Sequence, residues 1–507
     1  MASLKKSKRD VPTEQPTQVP KKKKALVASS QQQQSPTTDF DCDGIRLPRN
    51  ADTIGNRIKT AAVNLVPDIK ILTPKKRRTL SLGLNSILDL TDLSEGGQLT
   101  SVFHQAEEQA ALKQRFHPLK RLSNRGRSRK IPSSLPEDIS LHWDLVCRLA
   151  LSDGLSKARS YLAKQMANAT ESRVNDLTFL WVMVDTMISY PNLFSPDGSE
   201  GTSSETDLLS GLWRPLLARV LIDSPAKLRL KTGETTMDSA NKEKQEMFED
   251  PNAVSFKIDG RVILDFKGQE YTLCVMEVAR SPQLGKVHSD GAKVLREAKN
   301  VVNSLVQILP DDKDLLYNST AFGIQTTGIS GCIFSLHLVA PSLYVAVPEA
   351  SFELPTSITT LPKFKSVINA LYELRDNLNY AGSLVRDHLT KRKTLADQLE
   401  LIEKEEGLQR RAWANGSWYT PPQAAKNKIY IKKDLAAPIT FNKRIAMIED
   451  EKAAELASSR FQGTVFDSDG WGIVRNDVGK LCYYNIFINQ YVEELGGRRA
   501  DQEIEDK

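Results

Sequence analysis

The chain has 507 residues, 40% of them hydrophobic and 26% charged, with a formal net charge of +6. That length holds two or three domains and that apolar content builds a substantial core, which excludes a wholly disordered chain. No apolar run approaches the roughly 20 residues that span a bilayer, and the longest candidate, 177–188, contains Asp185; no membrane contact is expected.

MASLKKSKRD at the N-terminus lacks the apolar core of a secretory signal, so export is not expected. Cys42, Cys147, Cys274, Cys332 and Cys482 are far apart and form no CxxC pair. With six scattered histidines, they predict a reduced compartment and no zinc, so that a bound metal would take oxygen ligands.

Residues 1–135 read as a disordered basic arm. The first 50 are rich in Lys, Gln, Pro and Ser, too poor in large apolar side chains to offset the entropy of ordering. From about 51 to 135, bursts such as LGLNSILDLTDL alternate with polar stretches, and no core is evident. Cationic clusters fall at Lys5-Lys6, Lys8-Arg9, residues 21–24, 75–78 and 120–130. They point to nuclear import through an import receptor, with the cytoplasm as the other compartment, and to nucleic-acid contact; a solvated tail is the plain alternative.

Residues 136–203 carry apolar positions at three- and four-residue spacing and predict a helical lead-in. SPDGSEGTSS then marks a loop, and Ser204 with Asp207 predicts a capping pair for the helix ETDLLSGLWRPLLARVLI, which Pro215 should perturb. A core over 204–360 follows: strand KLRLKT, a polar linker near 233–250, strands VSFKIDGRVILDF and QEYTLCVMEVARS, a lysine-rich helix, and strands AFGIQTTGI, GCIFSLHLVA and SLYVAVP. The order α-β-β-β-α-β-β-β predicts an α/β (α+β) architecture, because each sheet face needs cover. Residues 361–411 read as a helical extension, and 412–507 as a small helical and aromatic segment with a helix near 441–461 and a frayed end. GxxxxGK[ST], GxGxxG and GxSxG are absent.

The richest stretch is 254–309. Asp259 and Glu277 each sit in one of two adjacent strand-like runs, and a basic amphipathic helix follows, with Val294, Leu295, Ala298, Val301, Val302, Leu305 and Leu309 on one stripe. Two carboxylates near a basic helix are what a hard divalent cation and a phosphate require.

Over 204–345 this order of elements and acids resembles the PD-(D/E)xK, or restriction-endonuclease-like, nuclease superfamily. More loosely, SETDLLSGLWRPLL and KTGETTMDSA look like nuclease-like domains of transposon-associated and Crinkler-type proteins. The resemblance implies a mixed central sheet flanked by helices. It assigns Glu205 to the first helix, Asp259 to the second strand and Glu277 to the third, as ligands for Mg2+. Where the motif has lysine two residues after Glu277, this chain has Ala279. Arg280, one residue on, points to the opposite strand face, so Lys286 or Lys293 must supply the ammonium. Lys293 is preferred, because a cap at Ser289 or Asp290 would place it in the first turns of its helix.

Each residue also has an ordinary reading. Asp259-Gly260 is a common hairpin turn pair, Glu277 would be satisfied by Arg261 or Arg280, Glu205 suits a helix first turn, and Lys293, Arg296 and Lys299 suit a wet helix face. The expectation is therefore a metal-dependent phosphodiesterase acting on nucleic acid, with catalytic Asp259, Glu277 and Lys293. Its rival is a non-catalytic nucleic-acid- or protein-binding scaffold of the same fold.

Overall fold

A computed structural model describes Ile45 and residues 52–69, 71–120, 136–194, 203–221, 224–248, 250–280, 283–309, 319–340, 342–396, 414, 416–417, 471–476, 479–485, 490–492, 494–495 and 498–499. The chain divides into two compact units, Met1–Thr38 and Asp39–Lys507, and the first lies outside the described residues.

The second unit is a mixed α/β structure built on a seven-stranded sheet. Its strands are β1 (Ile87–Asp89), β2 (Leu228–Thr235), β3 (Ile258–Phe266), β4 (Gln269–Ala279), β5 (Thr320–Thr327), β6 (Ser330–Ala340) and β7 (Leu343–Glu353), in the order β1-β7-β6-β5-β4-β3-β2. β2, β3 and β4 form an antiparallel meander, β4 runs parallel to β5, and β5, β6 and β7 are again antiparallel. A parallel pair needs a crossover, and the helix Leu284–Ile308 supplies it.

The helices, numbered along the chain, are α1 (Ile54–Leu65), α2 (Pro74–Gly83), α3 (Gln98–Val102), α4 (Ala106–Phe116), α5 (Glu137–Asp153), α6 (Leu155–Ala167), α7 (Glu171–Ser189), α8 (Glu205–Leu208), α9 (Arg214–Leu221), α10 (Asp238–Phe248), α11 (Leu284–Ile308) and α12 (Phe364–Ala396). Those of the lead-in pack into the main core through Trp143, Leu162, Phe179 and Val184.

Several expectations are corrected. Residues 52–120 are not part of a disordered arm. α1 to α4 fold there around Ile54, Ile58, Leu88, Leu99 and Phe103, and β1 pairs in parallel with β7, Ile87 with Tyr344 and Asp89 with Ala346. Each local burst is too short to bury itself, and its partner strand lies some 250 residues later in the chain. The 75–78 cluster is consequently no free tail: it sits in α2, with Lys75 donating to Ser94 Oγ at 2.9 Å and Glu95 O at 2.7 Å and Arg78 buried. The clusters at 21–24 and 121–130 lie outside the described residues.

The linker expected near 233–250 contains α10. α12 is no extension: Phe364, Leu371, Leu378 and Val385, seven residues apart, are all buried in the main core. In the C-terminal segment the described residues form strands, β8 (Trp471–Arg475), β9 (Leu481–Asn485) and β10 (Gln490–Val492) in one small sheet and β11 (Glu494–Leu495) with β12 (Arg498–Arg499) in another; the helix expected near 441–461 lies outside them.

The helix before the sheet follows its sequence signals. Ser204 Oγ accepts from Asp207 N at 3.1 Å and Asp207 Oδ2 accepts from Ser204 N at 2.7 Å, a complete capping box. Pro215 cannot donate an N–H and crowds the preceding turn, and a π-helical stretch, Leu209–Trp213, separates α8 from α9 at that point.

Candidate metal and phosphate site

The sheet and α11 bring the singled-out residues together. Gly260 pairs with Met276, so one rung further on Asp259 stands opposite Glu277 as a cross-strand neighbour. Asp259 is therefore inside β3 and not in a turn. Its Oδ2 accepts from Val278 N at 2.7 Å, so a side chain makes the next bond where the backbone ladder stops.

Glu277 is 4% exposed. Its partner is neither Arg261 nor Arg280 but Lys293, whose Nζ lies 2.6 Å from Oε1. The contact is a close ion pair, and Oε1 has no other polar partner among the described residues. Burial pushes the Glu277 carboxyl up to about 8; Lys293 pulls it back only in part, and Asp259 and Asp290 add to the rise. Burial likewise raises Asp259, against the opposing effects of the Val278 N–H and Lys293. Glu205, on α8, reaches the same cluster by an ion pair with Lys286, and it accepts from Arg280 N at 3.4 Å.

Lys293 arrives by a different route from the one expected. α11 begins at Leu284 after Gln283, so Ser289 and Asp290 lie within the helix and Lys293 is in its third turn. Nor is its polar side wet. Arg296 and Lys299 are buried, Lys299 donating to Gly416 O at 2.7 Å, and burial brings Lys299 down to about 7. Arg261 pairs instead with Glu297, 2.7 Å apart and both sealed from solvent.

Asp290 is the residue the sequence reading missed as a site residue. It is buried, its Oδ2 has no hydrogen-bond partner, and burial raises its carboxyl while Lys286 and Lys293 oppose the rise. The signal was present: Lys286, Asp290, Lys293 and Glu297 recur at four-, three- and four-residue spacing, a polar stripe beside the apolar one.

Among the described residues no group of three or more His, Cys, Asp or Glu side chains stands at metal-holding spacing. Magnesium, however, is commonly held by one or two carboxylates, with waters and substrate phosphates filling the remaining positions. The facing pair Asp259 and Glu277 fits that requirement in its chemistry: the donors are all oxygen, and both carboxyls are raised by burial, against the opposing charge of Lys293.

These shifts fix a pH dependence. A folded-state pKa of about 8 for Glu277 lies above the unfolded value near ~4.3. The folded chain therefore holds a proton that the unfolded chain releases, and the associated stability is full below pH ~4.3 and is lost as pH rises toward 8, at up to ~1.4 kcal/mol per pH unit. Thermal melting in chelator, repeated from pH 4.5 to 8.5, is expected to show Glu277→Gln gaining stability relative to the unsubstituted chain as pH rises. Parallel curves would show that Glu277 ionises normally.

No protein-family model, no curated protein and no solved structure matches this chain.

Proposed function

We propose that this chain is a divergent restriction-endonuclease-like protein that hydrolyses phosphodiester bonds of nucleic acid with Mg2+. The observation that carries the reading is the Lys293 ammonium 2.6 Å from Glu277 on the third strand of the meander, with Asp259 on the neighbouring strand. In this reading a lysine from α11 would supply the charge that Ala279 leaves out of the motif. The sequence of elements from α9 through β2, β3 and β4 to α11 and β5 supports the same reading, with α10 as an insertion.

In this reading Asp259 and Glu277 hold the cation, and Glu205 assists them from α8. When bound, the cation supplies Lewis acidity and lowers the pKa of a bound water. Lys293, paired with Glu277 in the free chain, would turn its ammonium to the scissile phosphate in the loaded site. An ammonium so placed offsets negative charge growing on the phosphate oxygens. Lys286 holds Glu205 in place.

The test is hydrolysis of labelled DNA and RNA by the purified full chain with Mg2+ or Mn2+. Cutting by the unsubstituted chain and its loss in Asp259→Ala support the reading. A folded chain that cuts neither polymer with either cation removes it.

A second reading, a binding protein of the same fold without catalysis, draws on the two ion pairs, Lys293 with Glu277 and Lys286 with Glu205. Both already neutralise the acids without any metal.

A further inference from the structure

α11 has a second functional face. Gly285, His288, Ser289, Ala292 and Arg296 turn away from the carboxylate cluster and form one wall of a cleft of about 640 Å³, whose other wall is α2 and the turn before it, with Arg77, Arg78 and Ser81. That volume lies within the range of natural ligand sites, about 300–1,000 Å³. The residues lining it carry positive charge or none, and Lys76 adds an exposed cation on α2.

Two of the arginines are fixed in place. Arg78 Nε donates to Asp89 Oδ2 at 2.7 Å and Nη2 to Thr91 Oγ1 at 2.8 Å. A Cβ on residue 291 would lie 2.3 Å from Arg78 Nη1, so only glycine there lets α2 bring that side chain against α11. The guanidinium of Arg296 sits 4.4 Å from the centre of the Phe256 ring. Arg77 is exposed.

We infer that the α2–α11 cleft binds the sugar-phosphate backbone of a nucleic-acid strand. The exposed Arg77 guanidinium matches phosphate geometry with paired donors, and the exposed Ser289 hydroxyl adds a donor. Arg78, bonded to Asp89 and Thr91, and Ser81, whose hydroxyl donates to Arg78 O at 3.1 Å, shape the wall. Among the described residues no Phe, Tyr or Trp side chain lines the cleft and the His288 ring is buried, so no open aromatic face is presented for a base to stack on. The contact is therefore to backbone and indifferent to sequence. The cationic 75–78 cluster, which reads in the sequence as an import signal, is on this account part of a folded binding wall. The inference rests on the chain acting on nucleic acid, but not on its cutting it.

The experiment uses the full chain and labelled random-sequence oligonucleotides, single- and double-stranded, in chelator so that cutting plays no part. Arg77→Glu reverses an exposed charge. Gly285→Glu introduces a carboxylate where a Cβ meets only Pro74 Cγ, at 3.7 Å. Each variant, with melting unchanged, is expected to weaken binding roughly tenfold and to lower the slope of log affinity against log salt by about one. In a second measurement, Ser289→Cys carrying a photo-crosslinker is expected to capture the oligonucleotide, whereas the same group at Ser152→Cys on α5 is not. Unchanged affinity with no capture at position 289 overturns the inference. So does displacement of the oligonucleotide by inorganic phosphate or pyrophosphate at equal phosphate concentration, which would mark a small-anion site. Because binding is read without cation, loss of binding in these variants and loss of cutting in Asp259→Ala are separate results.

Discussion

Lys293→Ala is expected to slow phosphodiester cleavage by at least ~10²-fold, the cost typical of removing one positioned transition-state donor, with little change in binding. The ammonium lies 2.6 Å from Glu277, and in the proposed site it moves its interaction to the phosphate as charge develops there. Glu277→Ala should abolish cutting altogether, since it removes a cation ligand, and should leave the Lys293 ammonium without its carboxyl partner beside the polyanion, so that binding holds or tightens. Arg280→Ala is the control. Arg280 is exposed beyond the end of β4, and its loss should leave the rate within about threefold on the usual scale of remote surface changes. A single-turnover assay separates these outcomes from binding. Equal loss in Lys293→Ala and Arg280→Ala would mean that general positive charge, and not the placed ammonium, supports the reaction.

Arg261→Met is expected to cost about 3–5 kcal/mol of stability, the range for breaking a buried ion pair from one side. Arg261 is 4% and Glu297 0% exposed in their side chains, with Nη2 2.7 Å from Oε1. Glu297 has Asn300 Nδ2, at 3.0 Å, as a second partner. Burial already raises the Glu297 carboxyl in the paired state, so without Arg261 it would take up a proton or force the helix off the sheet. Replacing both, Arg261→Met with Glu297→Leu, should recover most of the loss, because two apolar side chains leave no orphaned charge. Denaturant unfolding reads both variants. A double variant no more stable than the single one would show that α11 needs the pair for its placement on β3.

The parts of the fold visible in the sequence are those with local signals. β3 and β4 alternate, α11 carries a seven-position apolar stripe, and the Ser204–Asp207 capping box opens α8. What was hidden depends on contacts between distant parts of the chain. β1 is three residues long and has no meaning without β7, and α10 is a polar helix that reaches the core through Ala240 and, just before it, Met237.

The site shows the same division. Asp259 and Glu277 stand out in the sequence as acids within strand patterns, and Lys293 as the preferred cation on the following helix. A polar residue before an apolar run usually begins a helix, so the sequence predicts a cap at Ser289 or Asp290, whereas α11 starts at Leu284. Lys299 and Arg296 looked solvated because helix periodicity shows which residues share a side but not that α2 and the 416–417 segment cover that side.

The most direct test of the account is calorimetric titration of Mg2+ and Mn2+ into the metal-free chain at pH 7 in two buffers of different ionisation enthalpy. With Glu277 raised to about 8 by burial beside Asp259, a cation that takes both carboxylates must displace a proton. The account predicts saturable binding with a buffer-dependent heat corresponding to proton release, absent in Glu277→Gln and Asp259→Ala. Binding with no proton release, or heat that survives both substitutions, would contradict a cation held between β3 and β4.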